Sequence, residues 1–346
     1  VAAKPPTSSS PPAPGRHWPL PPEQRPANRT VGTARKVGGS GRLRVARRAR
    51  PPARQGRAGK RPLALPYLFV APAVVLTAAF SLLPLGMLAY RSLFSGGVFA
   101  TTLQYVGLQN YSNAISQGGA HALEVTGIYT AGFVVLAMGL GLGIALLLNV
   151  NLPGLSRLRA PFIIPVVVPT VATALIWGNL FAPDFGFINR TLGALGLPEA
   201  DFTSSPSLAL TMILTFGVWQ FFGENVILYL ASLKTLPVDV IEAASVDGAG
   251  PWARFRYMRW PLLRRSNVLI WVITTLTGLQ TFTQIYVLTN GGPNGGTTTA
   301  LYYIYNQGFV QFNTGLADAM GVILFLISLG VTIVQVALIG RGSRRD

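Results

Sequence analysis

Residues 124–149 read EVTGIYTAGFVVLAMGLGLGIALLLN, and their only charged side chain is Glu124, at the first position. An α-helix rises about 1.5 Å per residue, so roughly 20 apolar residues cross a hydrocarbon layer about 30 Å thick. This run is long enough to do so. Outward from it, five further apolar runs of similar length lie at about 64–90, 160–182, 208–232, 267–289 and 318–340. The pattern predicts an all-α polytopic membrane protein with six transmembrane helices between residues 63 and 340. Pro66, Pro72 and Pro84 kink or delimit the first span, which lipid tolerates because neighbouring helices can re-satisfy freed carbonyls. Gly139 and Gly143, four apart in the second, are expected to admit close helix packing.

Composition agrees. Only 11% of the 346 residues are charged and 50% are hydrophobic, whereas soluble domains carry about 25% charged residues. Cysteine is absent, which excludes disulfides, thiolate metal sites and cysteine nucleophiles. His17 and His121 lie outside the apolar runs and read as solvated loop residues. The sequence holds no Ser/His/Asp set, metal-ligand cluster or paired carboxylates in register. Nor does it hold G-x-x-x-x-G-K-[ST]; Gly56 to Lys60 is too short and lacks the following Ser or Thr. No catalysis, metal or ATP site is therefore expected of this chain.

The formal charge of +17 is unevenly placed, with 15 of the 28 Lys and Arg before residue 62 and Glu23 the only acid there. Residues 1–62 are too poor in apolar surface to offset their ordering entropy, so a disordered basic cytoplasmic tail is expected. It has no apolar centre of the kind a cleaved secretory signal needs. Nucleic acid is not an expected partner, because a basic binding surface interleaves its cations with aromatics on one folded face. Anionic membrane lipid is a natural neighbour for the tail.

Orientation follows from the connections. Arg157 and Arg159, then Lys234, Arg254, Arg256, Arg259, Arg264 and Arg265, and Arg341, Arg344 and Arg345 share one side with the tail. The opposite loops hold only Arg91 and Arg190, so the count is 26 against 2. Cytoplasmic loops are the cation-rich ones. Both termini, including residues 341–346, are expected in the cytoplasm.

The connection after the fourth span, KTLPVDVIEAASVDGAGPWARFRYMRWPLLRRS at 234–266, is not turn chemistry. Pro237 can open a helix, Val238, Ile241 and Ala244/Ser245 recur at helical spacing, and Gly248 and Gly250 can end it. Asp239 and Glu242 sit near its positive end. Spacing alone leaves two readings open, an interfacial helix or a docking element. Inside the spans, polar groups are costly unless used or paired. Thr277, Gln280, Thr281 and Gln284 fall at i, i+3, i+4 and i+7, one polar stripe on a continuous helix. Their amides and hydroxyls suit a polyhydroxylated ligand, or bond neighbouring helices. Trp219, Gln220, Glu224 and Asn225 are the corresponding candidates in the fourth span. Trp219 can stack on a sugar ring, and Glu224 is the only acid well inside a span. No Lys or Arg lies mid-span, which favours a neutral solute over a phosphate ester.

Glu242-Ala243-Ala244, then Gly248, then Pro261 resemble the EAA loop of bacterial ATP-binding-cassette (ABC) importer permeases. The family's Ile-x-Leu-Pro ending is here Met258, Arg259, Trp260 and Pro261. Trp219-Gln220, Leu236-Pro237, Tyr286-Val287-Leu288-Thr289 and Gly291-Gly292-Pro293 are similar to the carbohydrate-uptake branch, which takes up maltose, trehalose, glycerol-3-phosphate and related solutes. The resemblance covers about 64–340. It implies a permease of the inner membrane that binds no cofactor, with ATP and Mg on a partner. It implies a second permease, two nucleotide-binding ATPase subunits, an extracytoplasmic solute-binding protein and a sugar-like solute. It further implies that Glu242, Ala243, Ala244, Asp247 and Gly248 form a coupling helix seated on the ATPase. Tyr302, Tyr303 and Tyr305, after the Gly-Gly-Pro loop, are read as outer-interface anchors or receptor contacts. A secondary transporter or channel driven by an ion gradient through Glu224 is the alternative, and it leaves the E-A-A segment unexplained.

Overall fold

Apolar runs that face lipid should be helical, because hydrocarbon supplies no partner for an open peptide group. The computed structural model describes residues 64–96, 103–149 and 159–340. The expected tail 1–62, Arg157 and residues 341–346 lie outside them. Helix α1 (Tyr67–Arg91) carries a π turn at Ala78–Leu82, just before Pro84. A two-stranded antiparallel ribbon, β1 (Phe94–Ser95) and β2 (Gln104–Tyr105), follows. Short α2 (Gln109–Ala114) meets α3 (Ala120–Leu148) across a kink where Gly118 has φ +105°. Then come α4 (Ala160–Val167), α5 (Thr170–Leu180) and α6 (Phe187–Ala194). Helix α7 (Pro206–Lys234) leads into α8 (Val238–Val246). After helical turns over 251–262 follow α9 (Arg264–Leu279), α10 (Thr283–Leu288), α11 (Ala300–Tyr305) and α12 (Thr314–Gly340).

Within the described residues, α1, α2–α3, α7, α9–α10 and α12 are each long and apolar enough to cross a membrane, and α4–α5 makes a sixth if its bent halves count as one span. The chain is all-α and polytopic. Its outward faces are apolar yet open, with Phe69 78%, Phe80 77% and Leu147 74% exposed. A soluble protein avoids such surface; a bilayer covers it.

The third and fifth apolar runs are not the straight helices their hydropathy implies. In the third, α4 and α5 meet at 105°. Pro169 has no N–H to continue the ladder, and it forces Val168 to extended geometry with ψ 137°, as residues before proline prefer. The fifth breaks over Gln280–Phe282, where Phe282 has φ −143°.

The core sits where α3 and α7 cross, around Ala145, Leu148, Val226, Tyr229 and Leu230. Gly139 and Gly143 do not make this approach: a methyl group on either would meet nothing within 4 Å. Gly141 makes it, and a Cβ there would lie 2.5 Å from Cβ of Asn225. The four-residue spacing marked the right stretch of helix but the wrong face. Gly141→Leu should lower the melting temperature of detergent-purified protein, since overpacking costs about 1–3 kcal/mol, whereas Gly139→Leu should leave it unchanged. Equal melting curves would place the crossing elsewhere.

Candidate functional site

The two helix breaks face each other across one cleft. Its volume is about 240 Å³, and Thr170, Phe221, Thr277, Gln280, Thr281, Phe282, Thr283 and Gln284 line it. Thr170 is the first residue of α5 and Thr283 the first of α10. The cleft thus gathers two chain breaks, and broken helices at membrane depth are tolerated only in protein or against a water-filled cavity. Thr277, Gln280, Thr281 and Gln284 all reach the cleft, although the continuous helix expected to carry them ends at Leu279.

Their roles differ. Gln284 is buried and donates to the Tyr129 hydroxyl at 3.1 Å and to the Thr281 hydroxyl. The Thr277 hydroxyl donates to the Ile273 carbonyl at 3.0 Å. Gln280 is exposed to the cleft, and among the described residues its side chain, like those of Thr170 and Thr283, has no hydrogen-bond partner. These three present free donors and acceptors. No charged side chain lines the cleft.

The four candidates on α7 go elsewhere. Gln220 is completely buried. Its Nε2 donates to the Pro165 carbonyl and, at 3.1 Å, to the Val168 carbonyl, while its Oε1 accepts from the Thr173 hydroxyl at 2.9 Å. These are the groups the Pro169 break leaves open, so Gln220 holds the bend rather than solute. Gly223, one turn on, allows the approach, since a Cβ there would sit 1.8 Å from the Phe162 carbonyl. Asn225 is buried and accepts from the Thr274 hydroxyl at 2.8 Å, which ties α7 to α9. Trp219 packs at a tilt in an aromatic group with Trp177 (5.2 Å) and Phe216 (6.4 Å) and does not line the cleft. Glu224 is half-buried, outside the cleft lining, and has no hydrogen bond or ion pair among the described residues.

Sequence reasoning missed Thr170, Phe221, Phe282, Thr283 and the supporting Tyr129. The proline at 169 was the signal for Thr170; nothing local marks Phe282. Tyr302 and Tyr303 are not interfacial anchors but buried, with the Tyr303 hydroxyl donating to the Gln117 carbonyl at 3.1 Å. Tyr305 stacks near Phe282 (5.1 Å) and Phe309 (5.6 Å).

On α8 the structure separates the E-A-A residues. Ala244 is buried, and Ile241 packs against the aliphatic cluster that contains Leu233, Leu236 and Leu263. Glu242, Ala243, Asp247 and Gly248 are exposed, and Val246 is 88% exposed. Ala244 therefore belongs to the inward face, not to an outward contact. Glu242 caps nothing among the described residues. Gly248 ends the helix at φ +82°, where the Ala249 N–H returns to the Ala244 carbonyl at 2.9 Å; a left-handed residue is what such an ending requires.

An all-α bundle with a polar cleft between broken helices and a short helix whose outer face is exposed defines a membrane permease. Residues 137–343 match the family of binding-protein-dependent transport system inner membrane components, and the chain belongs to it, as a permease subunit of a carbohydrate-type ABC importer. It is similar, at 33% identity over 82% of this chain and 95% of the relative, to the trehalose/maltose transport system permease protein MalF of Thermococcus litoralis. It is 32% identical, over 78% of this chain and 93% of the relative, to the sn-glycerol-3-phosphate transport system permease protein UgpA of Agrobacterium fabrum. A crystal structure of a bacterial alginate ABC transporter with its pentasaccharide-bound periplasmic protein shares the fold at TM-score 0.69 and 20% identity, over 78% of this chain and 92% of that one.

Gln220→Leu should strip the Pro165 and Val168 carbonyls of donors, at about 1–3 kcal/mol for each unsatisfied group. Thermal unfolding of the purified variant should fall well below that of Asn225→Leu or of the unaltered chain. A variant as stable as the unaltered protein would remove Gln220 from the bend.

Proposed function

We propose that this permease pairs with a second permease and two ATPase subunits, and that it carries a neutral sugar or polyol into the cytoplasm. The observation that carries the solute class is the cleft at the two helix breaks. It offers an amide and several hydroxyls, which serve as both donors and acceptors for a ligand that presents hydroxyls on every side. Phe221 and Phe282 supply apolar faces for the C–H side of a sugar ring. A phosphate ester would favour a cation, and the cleft lining has none. The relatives' names point to trehalose and maltose in one case and sn-glycerol-3-phosphate in the other.

Both termini lie in the cytoplasm, on the argument of 26 cations against 2. That puts α8 on the ATPase side. Its exposed Glu242, Ala243, Val246, Asp247 and Gly248 form the docking face. Small residues permit close approach, and the two carboxylates can pair with cations on the partner. ATP and Mg belong to that partner, which does the hydrolysis. A solute-binding protein delivers the solute from outside. Closure of the ATPase pair moves α8 and opens the cleft outward; hydrolysis returns it inward and releases solute.

Two substitutions separate the roles. Glu242→Lys should abolish co-purification of the ATPase and uptake while membrane insertion stays normal. Gln280→Leu should lower uptake of a labelled sugar about tenfold, roughly the value of one or two lost hydrogen bonds, with complex yield unchanged. A panel including labelled maltose, trehalose and glycerol-3-phosphate tests the class. Preferred uptake of glycerol-3-phosphate would overturn the neutral-solute reading, and full transport by Gln280→Leu would remove the cleft.

A further inference from the structure

A second cleft lies between the start of α4 and the last turns of α7, and its chemistry is unlike the first. Its volume is about 340 Å³, with walls from Ile163, Val226, Ile227, Leu230 and Ala231, and with Arg159 and Lys234 also in the lining. That volume falls in the range of small-molecule sites, roughly 300–1,000 Å³. The walls are aliphatic, and no acidic side chain is among them. Arg159 is partly buried, and its Nε is enclosed without a hydrogen-bond partner among the described residues. Lys234 is the last residue of α7 and is exposed. Among the described residues, two cations thus line an apolar slot whose walls carry no carboxylate.

The slot is not part of the solute cleft. Phe221, which lines the solute cleft, and Leu230 are nine residues apart on α7, about two and a half turns, so they occupy opposite faces. Gly223 brings α4 against α7 at the Phe162 carbonyl, and the gap opens one turn beyond, where the bulkier Ile227 and Leu230 follow. Ile227 is 42% exposed, an aliphatic side chain left open on a helix that crosses the membrane.

We propose that this slot binds an anionic phospholipid. An acyl chain lies along Ile163, Val226, Ile227 and Leu230, and the headgroup phosphate sits between the Arg159 guanidinium and the Lys234 ammonium. Charge selects the occupant: a basic pocket between transmembrane helices at the membrane surface recognises anionic headgroups. The aliphatic walls select a lipid over free phosphate. The Arg159 Nε finds an acceptor it otherwise lacks, and guanidinium matches phosphate oxygens well. The bound lipid would brace α4, the first half of the bent span, against α7.

The test uses the full importer in nanodiscs of phosphatidylcholine containing 10 or 20 mol% phosphatidylglycerol of the same chain length (about one lipid in ten or five, chosen for detectable occupancy). Native mass spectrometry of the released complex should show phosphatidylglycerol retained over phosphatidylcholine. Arg159→Gln and Lys234→Gln should each reduce that retention about fivefold, with complex yield unchanged. A phosphatidylglycerol with a photoactivatable acyl chain should label the peptide spanning Ile227 to Ala231 in the unaltered complex. Equal retention of the two lipids, unchanged retention in both variants, or labelling absent from that peptide because another protein chain covers it, each overturns the site.

Discussion

A peptide carbonyl freed in hydrocarbon has no water to turn to, and the rest of this structure depends on how two such openings are closed. At the first, Pro169 cannot donate to Pro165, and the chain turns through 105°. The Gln220 amide then supplies both hydrogens, one to Pro165 and one to Val168, and its oxygen is occupied by Thr173. At the second, the carbonyl of Thr281 accepts from the Thr299 hydroxyl at 3.0 Å. Each break is closed by a side chain from another segment. Without those donors each break would leave peptide groups unpaired in lipid, at a cost of several kcal/mol apiece.

Helix α7 shows how one span can serve several neighbours. Gln220 and Gly223 face α4, Asn225 faces α9, and Phe221 faces the solute cleft. At 100° per residue these positions fan around the axis, which explains why polar residues so close in sequence do unlike things. A one-dimensional reading grouped Trp219, Gln220, Glu224 and Asn225 as a pathway set because all are unusual in a span. The structure sorts them by direction, and none lines the cleft.

What could be read from the sequence follows the same division. Hydropathy shows the long apolar runs, because lipid exposure is a property of each run by itself; the open Phe69 and Leu147 are that property seen directly. The bend at Val168 was also legible, since the effect of Pro169 on its predecessor is local. Hydropathy read straight through it because both halves are apolar. The second break was not legible. Gln280, Thr281 and Phe282 carry no proline or glycine, and the open carbonyl of Thr281 is met by Thr299, 18 residues away. Even so, Thr277, Gln280, Thr281 and Gln284 line one cleft together, because residues on both sides of the break still turn toward it.

The same core explains how motion at α8 would reach the solute. Ile241 on α8 packs against an aliphatic cluster that includes Leu233 from the end of α7, Leu236 and Leu263 from the connections, and Ile270 on α9. Dense aliphatic packing transmits displacement rather than absorbing it. Helix α9 then runs unbroken for 16 residues to Leu279, about 24 Å at the rise of a helix. There it stops, at the residues that line the cleft. Under the proposed coupling, a push on Glu242 and Asp247 travels along a rigid rod and is released where the rod ends. Under the same proposal the break over Gln280–Phe282 has two consequences from one cause: polar groups are left open in the cleft, and the half-helix on the far side can stay in place while α9 moves.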